Sequence, residues 1–134
     1  MPGIDHANHN AKACELLLET GDFNDWVVTT AYYSAIYYVD SKLFPLTIGN
    51  EPLFATFNQY LNRRRTSGQG GKPHEIRLEL VRQNLPSCYN QLKWLFDTCD
   101  GARYNSYNVS HEIAKHAKTK LDEIKSNCGT AVKK

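Results

Sequence analysis

Residues 26–43 contain neither glycine nor proline, and only Asp40 and Lys42 are charged. Within them Val28, Tyr32, Ala35 and Val39 recur at steps of three and four. So do Val27, Ala31, Ala35 and Tyr38, and again Tyr32, Ile36, Val39 and Leu43. Apolar positions at that spacing share a face of an α-helix, and overlapping seams mean a helix buried on more than one side. The β-branched residues Val27, Val28, Thr29, Thr30, Ile36 and Val39 would suit a strand, but the unbroken stretch is too long for one. A helix in the middle of a bundle is expected.

The segments on either side are read by the same spacing. Ile4, Ala7, Ala11, Cys14 and Leu18 predict a helix over 4–19, with Asp5 complementing its dipole and Gly21 ending it. His6, His9, Asn10 and Lys12 occupy the opposite face. His6 and His9 lie one turn apart, a spacing that can hold a metal, but no carboxylate or cysteine completes a set, so a solvated face is expected. Asp22-Phe23-Asn24-Asp25 is a short link that offers N-caps to the next helix and implies antiparallel neighbours. That helix should end near Phe44-Pro45, because proline disfavours helical geometry in the residue before it.

From 45 to 73 the pattern weakens. A short helix over 51–64 would carry Phe54, Phe57 and Leu61 on one face, and Arg63-Arg64-Arg65 runs into a loop where Gly68, Gly70 and Gly71 crowd together, the mark of mobility. Gly71-Lys72 resembles the end of a phosphate cradle. Thr66 stands where another glycine is needed and Pro73 where Ser or Thr is needed, which excludes a P-loop. Pro73 suits the first position of a helix over 73–83. After Leu85-Pro86-Ser87, Cys88, Leu92, Leu95, Cys99 and Ala102 form another seam, weakened at Asp100-Gly101. Residues 105–108 read as a turn. Ser110 is then an N-cap for a helix to about 127, with Ala114, Ala117, Leu121, Ile124 and Cys128 inward and Gly129 as its stop. Residues 128–134 are expected to fray. The fold class is all-α: an up-and-down four-helix bundle with an additional short helix in the long connection.

Composition narrows the functional classes. The 134 residues make one domain able to bury a core. A hydrophobic fraction of 41% fits a globular chain rather than a disordered one. No apolar run is long enough for a bilayer, and Met-Pro-Gly-Ile-Asp-His lacks a signal peptide's basic start, so a cytoplasmic protein is expected. Cys14, Cys88, Cys99 and Cys128 form no C-x-x-C pair and read as reduced core residues rather than a zinc or redox motif. Neither metal nor cofactor is expected.

Chemistry is most plausible around Arg103 and His111, which flank the last turn. At a helix start the dipole favours an uncharged imidazole able to take a proton. Arg103 brings a permanent charge that can fork onto a phosphate. Together they could cleave RNA without metal, the histidine acting on the ribose 2′-hydroxyl and the arginine on the charge building at phosphorus. Tyr104, Asn105 and Asn108 could help hold the phosphate. His111, Lys115, Lys118 and Lys125 form one stripe, interrupted by Asp122, that would suit an RNA backbone. The plainer alternatives are a capping histidine, a surface arginine and an ordinary lysine-rich exposed helix.

Ala31-Tyr32-Tyr33-Ser34-Ala35, preceded by Trp26-Val27-Val28, resembles the second helix of HEPN domains, small all-helical domains of bacteria and archaea. Lys72-Pro73-His74 resembles the opening of that family's third helix, and Ala102-Arg103-Tyr104 the end of its next long one. The resemblance covers most of the chain without any long identical motif. It implies a homodimer with an arginine and a histidine in a cleft between protomers, spaced R-x(4–6)-H, and metal-independent RNase activity in toxin–antitoxin or anti-phage defence. Here seven residues separate Arg103 from His111, Asn108, Val109 and Ser110 occupy the expected histidine positions, and Tyr104 replaces a small polar residue. A continuous helix would hold the two groups about 12 Å apart along its axis, so a folded turn or pairing across a dimer is required. The alternative is a non-catalytic HEPN-like module for dimerisation or for binding a cognate protein, nucleotide or RNA, with no membrane partner.

Overall fold

The computed structural model describes residues 2–46, 53–104 and 109–129. They form six α-helices: α1 (Pro2–Thr20), α2 (Asn24–Leu43), α3 (Phe57–Thr66), α4 (Pro73–Asn84), α5 (Pro86–Tyr104) and α6 (His111–Ile124). A π-helical turn, Lys125–Gly129, follows α6. There is no strand among the described residues, only a single antiparallel bridge between Leu46 and Phe54.

α2 is the hub. It packs against α1, α4, α5, α6 and the π turn, and Val27, Val28, Ala31, Ser34, Ala35, Tyr38 and Val39 are all buried. The overlapping seams of 26–43 therefore have the physical meaning expected of them. Ala7 and Ser34, both wholly buried, meet where α1 approaches α2. The approach is fixed by polar contacts: Ser34 Oγ donates to the Ala7 carbonyl at 2.7 Å, and the Tyr38 hydroxyl donates to Asn8 Oδ1. Burying Ser34 is tolerable because its hydroxyl is satisfied there. Leu80 and Val81 of α4, Leu92 and Leu95 of α5, and Ala117, Leu121 and Ile124 of α6 complete one continuous core.

Local signals account for most boundaries. Phe44 is extended before Pro45 and its N–H still reaches the Asp40 carbonyl. Pro73 opens α4, where no intrahelical N–H partner is required. Ser110 caps α6, its Oγ accepting from the Ile113 N–H at 3.0 Å.

Four expectations are corrected. The residues around 22–25 supply no side-chain cap to α2; Phe23 occupies the cap position. The short helix begins at Phe57, not at 51, because Thr56 caps it by accepting from the Gln59 N–H at 3.1 Å; Phe54 lies outside it, bridged to Leu46. Asp100-Gly101 does not interrupt α5, which continues to Tyr104; one interior glycine weakens a helix by only about 1 kcal/mol. The frayed segment expected from 128 does not begin there, since Cys128 and Gly129 belong to the π turn and Cys128 is buried; residues 130–134 lie outside the described residues.

Candidate functional site

The sequence placed the chemistry where α5 passes into α6. His111 is the first residue of α6 and is exposed. Its Nδ1 lies 3.4 Å from Asn24 Oδ1, at the start of α2, so the first turns of α2 and α6 adjoin. The Ser110 cap and Glu112 in the first turn stabilise the same helix end. Arg103 and Tyr104 belong to the last turn of α5; their side chains lie outside what the structure describes, and Asn105 and Asn108 lie outside the described residues. Only His111 of the proposed pair thus has a described environment.

Two lysines of the basic stripe have acidic neighbours within α6. Lys118 Nζ donates to both carboxylate oxygens of Asp122 at 2.8 and 3.0 Å, and its side chain is only 23% exposed. Burial opposes its charge, but the Asp122 bond and charge prevail and raise its pKa. Lys115 Nζ lies 3.9 Å from Glu112 Oε1. These partners are three and four residues away, where helical side chains meet, so the pairing was available from spacing alone.

Other sequence candidates have structural employment. Arg64 folds back to donate to the Gln69 and Gly70 carbonyls at 2.8 and 3.1 Å, tying down the glycine-rich loop. Gly68 and Gly71 have φ of 81° and 123°, which only glycine adopts readily. His74 stacks on Phe96 with ring centroids 4.0 Å apart, and His6 packs against Tyr37. Among the described residues no group of three His, Cys, Asp or Glu is placed to hold a metal.

Two features were missed. The first is a groove of about 480 Å³ lined by Tyr33, Ile36, Tyr37, Phe44 and Phe57, with Asp40 and Arg77 paired across it. Tyr33, Tyr37 and Asp40 at steps of four and three were a signal for a shared face. The second is a set of exposed apolar side chains at the end opposite the groove along α2. Phe23 and Trp26 flank the start of α2, Ile113 lies in the first turn of α6, Leu16 is near the end of α1, and Trp26 is 55% exposed.

No family model, curated protein or solved structure matches this chain. No helix among the described residues is long and apolar enough to cross a membrane.

Proposed function

We propose that this chain is a HEPN-like up-and-down bundle of the four helices α1, α2, α5 and α6, with α3 and α4 in its long connection, acting as a non-catalytic interaction module that pairs with a second copy of itself. The observation that carries this reading is the exposed apolar set Phe23, Trp26 and Ile113. Large apolar side chains left in water at the adjoining first turns of α2 and α6 are what a protein interface buries. The Lys118–Asp122 pair on α6 supports the same reading, because it lowers that lysine's attraction for an RNA backbone.

Metal-independent cleavage of RNA is the second reading, favoured by the exposed position of His111 at the start of α6. His111 would take the proton of a ribose 2′-hydroxyl while Arg103 neutralises the phosphorus oxygens, its own or a partner copy's arginine serving. Sedimentation of wild type and Trp26→Glu, together with RNA incubation in chelator, separates the two. A dimer that Trp26→Glu dissolves, with no RNA cleavage by wild type, supports the module. Cleavage lost in both His111→Ala and Arg103→Ala, with helicity intact, supports the nuclease. A monomeric wild type overturns the self-pairing module.

A further inference from the structure

Two thiols that neither reading uses meet beneath the far end of the core. Cys88, in the first turn of α5, and Cys128, in the π turn, bring their sulfurs to 3.4 Å although 40 positions separate them in the chain. All four cysteines are buried and none is in a disulfide, but only this pair joins sulfur to sulfur. Cys14 donates to the Val27 carbonyl at 3.5 Å and Cys99 to Thr29 Oγ1 at 3.9 Å, contacts with oxygen that offer no second thiol. A disulfide needs the sulfurs at about 2.05 Å, so closure demands little more than about 1.4 Å of approach. The pair lies just inside the surface. Its chain neighbours Ser87 and Asn127 are exposed, and Asn127 Nδ2 lies 3.5 Å from the Ser87 carbonyl, directly spanning the two segments.

We propose that Cys88 and Cys128 are a peroxide-oxidisable pair that closes to an intramolecular disulfide and fastens the C-terminal turn to the start of α5. The Cys88 thiolate attacks one oxygen of hydrogen peroxide. The O–O bond breaks, hydroxide leaves and takes up a proton as water, and Cys88 becomes a sulfenic acid. The Cys128 sulfur then attacks the Cys88 sulfur, the S–O bond breaks, and the departing hydroxide takes the Cys128 proton as a second water. Two thiols and one peroxide give one disulfide and two waters. A small-molecule thiol reverses the change by exchange.

The division of labour between the sulfurs has a physical basis. The hydrogen bond between the two sulfurs, more than offsetting burial and aided by Ser87 and Asn127, lowers the Cys88 pKa. The same bond and burial push Cys128 up. Of the two, Cys88 is the sulfur whose thiolate is favoured, and the thiolate is the reacting form. Cys14, pushed up to about 11 chiefly by burial, is the internal contrast.

The fully reduced wild-type chain is treated with hydrogen peroxide at equimolar to modest excess, in chelator, then alkylated in denaturant, digested and weighed. The expected result is loss of two thiols per chain, a peptide pair joining Cys88 to Cys128, a raised thermal midpoint, and recovery of both thiols after dithiothreitol. Cys14→Ser and Cys99→Ser should leave the link intact. Four thiols remaining, over-oxidation of Cys88 without the link, a link to Cys14 or Cys99, or covalent dimers in its place would each overturn the proposal. Running the same oxidation in urea controls for proximity: an equal rate there would also defeat it, since the folded arrangement would then contribute nothing.

Discussion

Arg77 of α4 holds Asp40 of α2 with both arms of its guanidinium, Nε to Oδ1 and Nη2 to Oδ2 each at 2.9 Å. The guanidinium carbon also lies 3.9 Å from the centre of the Phe57 ring of α3. One planar cation thus fastens three helices, a task for which its fork and flat face are suited and a lysine is not.

Replacing Arg77 by Met or Asp40 by Asn should destabilise the fold by about 2 kcal/mol. That lies between the values for exposed and buried pairs, as the 13% and 25% side-chain exposures require. Arg77→Lys should recover less than half of the loss. Denaturant titration of the single and double variants checks it, with the double variant losing less than the sum of the singles.

The buried faces of α2 should resist enlargement. Ala35→Leu places extra methylenes into a wholly buried position, with an expected cost of about 1–3 kcal/mol. Ser34→Ala, which removes the hydroxyl's bond to the Ala7 carbonyl, should cost about 1 kcal/mol. Thermal melts followed by circular dichroism would show the larger fall for the larger side chain.

Ser110→Ala removes the cap of α6 and should cost about 1 kcal/mol, whereas Ser110→Asp should retain most of the stability. Hydrogen exchange would register the alanine variant as faster exchange confined to the first turn of α6, beginning with the Ile113 amide.

Alkaline stability should be shaped by buried protons. Burial raises Cys14 from 9.0 to about 11, and burial, partly opposed by Arg77, raises Tyr32 from 10.0 to about 12. Between those values the unfolded chain has lost the proton that the folded chain still holds, so rising pH favours unfolding. The bonded thiols oppose one another, Cys88 being lowered and Cys128 raised. Stability in the presence of reductant should therefore fall from near pH 9 to pH 12, Cys14 and Tyr32 each contributing up to about 3 kcal/mol of the fall. Urea titrations across that range test the shape, and Cys14→Ala should make the fall begin nearer pH 10.

What could be read from sequence was what short-range chemistry decides. The buried character of 26–43, the proline start of α4 and the Ser110 cap each depend on residues within a turn or two, and each has its expected structural form. The start of α3 was misread because apolar spacing at Phe54 outweighed the cap at Thr56 and Gln59. The lysine stripe was read as interrupted by Asp122, but the pairing of Lys118 with Asp122 and of Lys115 with Glu112 was not drawn from their spacing. Arg77 with Asp40, Cys88 with Cys128, and His111 with Asn24 join residues 37, 40 and 87 positions apart. Tertiary packing alone creates such neighbours, and local pattern carries no trace of them.

The placement of α2 has a consequence for cutting the chain. A break within residues 67–72 would part α1, α2 and α3 from α4, α5 and α6. The first fragment would own the hub but lack α5 and α6, which clothe it; the second would have only a hollow. Neither piece is then a folding unit, and the two should be insoluble when made singly yet recover a native-like spectrum when refolded as a mixture.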